Sequence, residues 1–156
     1  MKNNLPIEQS GAVLLMAAVK KIYPSARIVK CDVDRKNKFS YDFEVKSLLN
    51  NHDLEIVEEI MQEMIRRDLR IKQFPILHEE ARLIFHQEPY RLKEIYASPY
   101  KKPIVSLLDG EVDLAQKPCI DKVGEISSVS IDKNQSLDPI SMHDNYYHQR
   151  IYGLIS

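Results

Sequence analysis

The amino-acid sequence predicts an α+β fold for residues 1–156 as a single domain: an antiparallel or mixed sheet, a long buried helix and a long amphipathic helix. Three observations carry that expectation. Ala12 to Val19 is apolar on nearly every side, which implies a helix buried all round. Leu54, Val57, Ile60, Met61, Met64 and Ile65 recur at three- and four-residue spacing, with Glu55, Glu58, Glu59 and Glu63 on the opposite side. Between and after these segments, strand-like runs are joined by short turns such as Asp109-Gly110, so hairpins are expected rather than regular βαβ units.

Taken in order, the first helix is predicted over Ile7–Ile22 and stopped by Tyr23-Pro24-Ser25. Arg27–Val33 and Lys38–Val45 are predicted as strands of a hairpin around the polar turn Asp34–Asn37. Asn51 is the expected N-cap of the amphipathic helix, with Asp53 in its first turn. Ile71–Leu77 reads as a short strand, and Pro75 puts it at an edge or bulge. Glu79–Phe85 and Pro89–Ile95 suggest two short helical pieces. Pro103–Leu108 and Glu111–Leu114 form the Asp-Gly hairpin, and Glu125–Ile131 is a further strand. Lys133–Asp144 is polar and turn-rich, and Tyr146–Leu154 is a last apolar segment able to pair into the sheet.

Composition narrows the function classes. A hydrophobic content of 44% suits one globular core. No apolar run approaches the roughly 20 residues that cross a bilayer, so no membrane partner is expected. Glu8 before the N-terminal apolar stretch, and the absence of a small-residue cleavage site, argue for a buried helix over a signal peptide. Two cysteines, Cys31 and Cys119, make no disulfide framework and fit a reducing, cytoplasmic setting. A formal net charge of −1 excludes gripping nucleic acid by bulk charge alone. The basic pairs Lys20-Lys21 and Lys101-Lys102 are expected on solvated surface.

The motifs of chemistry are sparse. The glycines are isolated and form no phosphate loop, and no nucleophile elbow occurs. The histidines contain no i, i+4 pair, and no Cys-x-x-Cys is present, so no metal site has a local signature. His143 and His148 lie five residues apart, which on one strand places them on opposite faces; His52 belongs to an exposed first turn. Glu58-Glu59 and Glu79-Glu80 fall on helix surfaces, where solvation is the default. Asp113, at the end of a hairpin strand between Val112 and Leu114, is expected to be partly buried. Cys119 after Pro118 is either a reactive thiol or, more commonly for such a residue, inert packing.

The order of several segments resembles the editing-type domain that precedes the catalytic core of bacterial threonyl-tRNA synthetases, a module related to alanyl-tRNA synthetase editing domains. QSGAVLLMAAVKKIYPSARI resembles the family's first helix, H-S-x-x-H-L-L-x-x-A-V with a Tyr-Pro stop, and FSYDFEV its F-x-Y-D-F strand. EPYRLKEI resembles the segment after its third helix, EVDLAQKPCI the D-L-C-x-G-P-H segment, and HQRIYG the L-Q-R-I-Y-G exit. The family's reactive centre is two helical histidines plus a cysteine and a histidine from the D-L-C-x-G-P-H segment. They act on serine wrongly attached to tRNA-Thr, because one methyl group supplies only about 1–3 kcal/mol of discrimination.

Carried over position by position, the resemblance implies that the first helical histidine falls on Gln9, the second on Val13, the cysteine on Ala115 and the last histidine on Cys119. None of the catalytic positions is intact and no metal ligand set is implied. The family's lysine after Pro-Tyr becomes Arg91, while Asp113 and the Tyr41-Asp42 pair are retained, leaving Tyr41, Arg91 and Asp113 as the expected substrate-binding residues. The resemblance thus implies a degenerate, hydrolysis-deficient editing domain of a threonine–tRNA ligase, either an excised or truncated N-terminal part of one or a free-standing protein. It would position the acceptor end of tRNA-Thr and contact the rest of the synthetase. No cofactor is expected for the domain itself; ATP and zinc are implied only for the aminoacylation domain of such a parent. The alternatives are an active esterase with a remodelled site, in which Asp113 orients water, Arg91 binds the terminal ribose or phosphate and Cys119 assists, or an interaction module without a tRNA role.

Overall fold

The computed structural model describes residues 5–115 and 117–156. The first four residues of the N-terminal stretch, and Gln116 within the Glu111–Ile120 segment, lie outside the described residues.

Helix α1 spans Pro6–Ile22, with Pro6 in its first turn, where a missing N–H is harmless. Every residue from Glu8 to Val19 is buried, as the all-round apolar pattern predicts. Strands β1 (Arg27–Asp32) and β2 (Lys38–Val45) form the expected antiparallel hairpin, turned by Asn37 in the left-handed region at φ 66°. Helix α2 (Asn51–Arg66) buries Leu54, Val57, Met61 and Met64. Its N-cap is Asn50 rather than Asn51. The Asn50 side chain accepts the Asp53 N–H at 2.9 Å, and the Asp53 carboxylate takes the Asn50 N–H at 3.0 Å, a reciprocal cap that adjacent asparagines leave undecided in sequence.

A smaller lobe follows: β3 (Lys72–Pro75), α3 (His78–Ile84), α4 (Pro89–Ala97), β4 (Ile104–Leu108) and β5 (Glu111–Leu114). These strands make a three-stranded antiparallel sheet in the order β3-β4-β5, so Pro75 lies on an edge strand as expected. The predicted strand Glu125–Ile131 is only β6, Val129–Ile131; Val123–Glu125 instead forms a 3₁₀ turn. The polar stretch Lys133–Asp144 is not a plain loop. Asp132 caps a short helix, α5 (Lys133–Ser136), and β7 (Pro139–His143) pairs with β8 (Tyr146–Ile155).

The main sheet runs β1-β2-β8-β6, with β7 also on β8, so the last strand of the chain becomes a central one. Its inward residues Gln149, Ile151, Gly153 and Ile155 are all buried. Helices α1 and α2 cover one face of this sheet around Phe39, Tyr41, Phe43 and Val45. Two glycines make the close approach possible: Gly11 of α1 and Gly153 of β8 flank the Phe39 ring. A methyl group on Gly11 would come within 2.7 Å of the ring, and one on Gly153 would overlap it outright. The lobes are tied by Glu88, which accepts Lys20 Nζ at 2.5 Å and the Ile28 N–H at 2.7 Å. Lys20 is therefore engaged, contrary to its expected place on solvated surface; Lys21, Lys101 and Lys102 are exposed. Glu58 likewise leaves the solvated-surface reading, since it accepts the Ile131 N–H at 2.7 Å and pairs with Lys133.

Overpacking a rigid ring typically costs about 1–3 kcal/mol. Gly153→Ala is therefore expected to lower the urea midpoint of unfolding by a corresponding amount, with little change in the denaturant slope. An unaltered midpoint would show that the Phe39 ring relaxes freely.

Candidate functional site

The residues singled out in sequence converge on the seam between the two sheets. Gln9 and Val13 lie one helical turn apart on α1, 4% and 4% exposed, so they share a face. Ala115 follows β5, is half-buried, and lends its N–H to Ile104 O at 2.8 Å. Cys119 sits in the loop beyond, with its N–H donated to Gln73 Oε1 at 3.1 Å and its sulfur 3.6 Å from Gln73 Nε2. The next residue, Ile120, donates its N–H to Ser10 Oγ at 2.9 Å, which fastens this loop to α1. Two side chains the sequence did not single out complete the surroundings. Cys31 of β1 receives the Gln9 amide at 3.7 Å, and Gln73 of β3 holds the Cys119 loop. Neither has a local pattern; only the sheet pairing brings them in.

Tyr41, Arg91 and Asp113 meet, drawn from β2, α4 and β5, and are 1%, 1% and 4% exposed. Arg91 Nε donates to Asp113 Oδ1 at 2.7 Å, and Arg91 Nη2 donates to Tyr41 Oη at 2.8 Å. The Tyr41 hydroxyl in turn donates to Asp113 Oδ2 in a short hydrogen bond. The Leu114 N–H reaches Asp113 Oδ1 at 2.7 Å, and Arg91 Nη1 reaches Glu94 at 2.8 Å and Val29 O at 3.2 Å. Asp113 is thus more deeply buried than the partial burial expected, and these polar atoms partner one another. Burial opposes charge on Arg91, but its Tyr41, Asp113 and Glu94 neighbours outweigh that and hold the guanidinium above its ordinary range. Tyr41 is pushed well above the phenol range, first by burial and then by the Asp113 carboxylate.

The thiols follow the same logic. Burial pushes Cys119 up to about 12, and burial also raises Cys31 despite the Gln9 hydrogen bond. This favours inert packing over a reactive thiol for Cys119. Beside Ala115, a groove of about 450 Å³ opens between α4 and β4, walled by Ile95, Ile104 and Leu114. Among the described residues, no three His, Cys, Asp or Glu side chains gather as a metal site would require. His143 is exposed on β7 and His148 half-buried on β8, so they occupy two strands instead of one; His148 Nε2 lies 2.6 Å from Asp42 Oδ2. His52 is exposed.

A thiol near 12 carries roughly a thousandfold less thiolate at pH 8 than one near its ordinary value. Iodoacetamide is therefore expected to label native Cys119 at least a hundredfold more slowly than the urea-unfolded chain. Because the folded value lies above the unfolded one, this contribution to stability is intact below about pH 9 and is lost as pH rises toward 12. Peptide mapping after timed alkylation checks the rates; equal labelling of native and unfolded chains would contradict them.

No family model matches the chain. It is similar to curated threonine–tRNA ligases. That of Acetivibrio thermocellus is 31% identical over 143 residues, covering 90% of this chain and 22% of the relative. That of Rubrobacter xylanophilus is 27% identical over 148 residues (94% of this chain, 23% of the relative). That of Coxiella burnetii is 28% identical over 150 residues, with the same coverage of 94% and 23%. The chain spans about a quarter of the length of these relatives. No helix among the described residues is long and apolar enough to cross a membrane. Nearly the whole α+β chain, from the buried first helix to the central last strand, aligns with these enzymes, so it is similar to one domain of a threonine–tRNA ligase, consistent with an N-terminal one.

Proposed function

We propose that this domain is a hydrolysis-deficient editing-type module that contributes to tRNA-Thr aminoacylation by positioning the acceptor end of the tRNA beside the rest of a synthetase. Hydrolysing an aminoacyl ester near neutral pH needs a group that can take a proton from water. The observation that carries the reading is the composition of the seam. Gln9 is an amide and Val13 and Ala115 are hydrocarbons, while Cys119 holds its proton up to about 12. Asp113 is clamped by Arg91, Tyr41 and the Leu114 N–H, which leaves it holding the lobes together rather than orienting a water. Arg91 is always charged and cannot serve as a base. In this reading the domain takes no cofactor, and its setting is the cytoplasm.

The buried ion pair favours a scaffold over a remodelled esterase. Removing one member of such a pair typically costs about 3–5 kcal/mol, so its side chains are constrained as structure before they are available to a substrate. Tyr41, Arg91 and Asp113 would then shape the floor of the acceptor-end site without touching the reacting ester.

Incubation with seryl-tRNA-Thr provides the test. The expected deacylation rate matches spontaneous hydrolysis. Acceleration that disappears in Cys119→Ala would establish the remodelled esterase instead. Rebuilding the family's quartet and lysine in one variant (Gln9→His, Val13→His, Ala115→Cys, Cys119→His, Arg91→Lys) is expected to raise deacylation at least about tenfold, since positioned acid–base groups typically contribute 10²–10⁴. A folded but inert variant would mean the scaffold itself no longer admits the ester.

A further inference from the structure

The main sheet has a second face, opposite α1 and α2, and its charges are layered. Strand alternation points Arg27, Lys30 and Asp32 of β1, Lys38, Ser40, Asp42 and Glu44 of β2, and Tyr146, His148, Arg150 and Tyr152 of β8 to this side, and Lys46, just past β2, lies near the Tyr146 ring. Asp42 and Glu44 lie at its bottom, 2% and 4% exposed. They are covered by the cations and rings above. Arg150 donates to Asp42 through Nε at 2.7 Å and Nη2 at 3.0 Å, and His148 Nε2 lies 2.6 Å from the same carboxylate. Glu44 accepts Tyr90 Oη at 2.6 Å and faces Arg27 Nη1 at 3.6 Å. The Arg27 guanidinium also lies 3.9 Å over the Tyr146 ring, with Lys46 Nζ 5.8 Å from its centroid.

Solvent therefore meets mostly positive charge. The Arg27 and Arg150 side chains remain 35% and 31% exposed, and Lys30, Lys38 and Lys46 are exposed with no carboxylate within 4.0 Å among the described residues. The exposed carboxylates are Asp32 and Asp34 at one end and Asp144 at the β7–β8 turn. The cations of this face thus stand outermost, and the Arg27 and Arg150 guanidinium groups are pre-oriented by carboxylates sunk beneath them. From Lys38 to Val45 along β2 the row runs roughly 23 Å, and the strands around it spread over roughly 15–20 Å. That footprint spans several phosphates of a double-helical RNA.

We infer that this uncovered sheet face is the surface on which the domain receives the phosphodiester backbone of an RNA helix. The inference rests on the tRNA-binding reading above and adds to it the face and the residues. Phosphates are met by Lys30, Lys38, Lys46 and the exposed sides of Arg27 and Arg150, and Tyr146 and Tyr152 form the floor between them. Contacts of this kind are independent of base sequence and weaken with salt.

Fluorescence-anisotropy titration of labelled tRNA-Thr transcript against the full chain, from 50 to 200 mM salt, tests this. The triple variant Lys30→Gln, Lys38→Gln, Lys46→Gln changes exposed side chains only. It is expected to weaken binding at least tenfold and to flatten the slope of log K against log salt by about two to three. A control triple on the small lobe, Lys93→Gln, Lys101→Gln, Lys102→Gln, is expected to stay within about twofold of the wild type. Wild-type binding that the sheet-face triple leaves unchanged, or that both triples weaken equally, overturns the assignment while leaving the tRNA reading standing. No binding by the wild type at 50 mM salt overturns both. Displacement of the tRNA by polyglutamate as readily as by an RNA hairpin of equal charge would assign the face to an acidic polypeptide instead.

Discussion

The contact between Arg91, Asp113 and Tyr41 joins the two sheets at their seam. Each residue belongs to a different element (α4, β5 and β2), and each is nearly inaccessible to water, so a charge stranded there would be costly. The arrangement avoids that by closure: the carboxylate takes the guanidinium, the phenol and a backbone N–H, and the guanidinium's remaining N–H groups go to Glu94 and a β1 carbonyl. The Lys20–Glu88 pair, with Glu88 also holding the β1 backbone, repeats the theme a short way along the same seam. Shape and charge in the cleft follow from these locks.

The chemistry of the seam changes accordingly. An arginine is a planar donor fork that binds a carboxylate through two nitrogens, whereas a lysine at the same place would be a mobile point charge. With the fork in place, Asp113 is saturated from several sides. The neighbouring thiols sit in a low-dielectric surround that favours their protonated form, and the Gln9 amide spends its donor on Cys31 sulfur. The polar atoms of these side chains are held in fixed hydrogen bonds. Polarity persists there, but it is structural polarity.

The opposite arrangement governs the exposed sheet face. There the carboxylates are the buried members and the arginine and lysine side chains the exposed ones, so Asp42 orients Arg150 and His148 from beneath. A strand that alternates Phe39, Tyr41, Phe43 and Val45 with Ser40, Asp42 and Glu44 builds an apolar core on one side and this layered face on the other.

Much of this was legible in the residues. The all-round apolar stretch of α1, the three-four spacing of α2 and the Asp-Gly hairpin are local signals, and short-range backbone and packing preferences read them directly. The motif order pointed to the likeness to threonine–tRNA ligases that the alignments also find, and the motif positions pointed to Gln9, Val13, Ala115 and Cys119. What failed was non-local. The polar run Lys133–Asp144 became a helix and a strand because β8 offered it an edge, and Glu58 and Lys20 left the solvent because partners dozens of residues away reached them. The mutual saturation of Arg91, Asp113 and Tyr41, and the placing of Cys31 and Gln73 beside the site, likewise depended on pairings between distant strands. Sequence alone thus determined most of the elements and the likeness to threonine–tRNA ligases, since both are written in residue type and short spacing. Only tertiary structure decided which polar groups are buried and with whom, because burial and partnership depend on which surfaces the folded chain brings together.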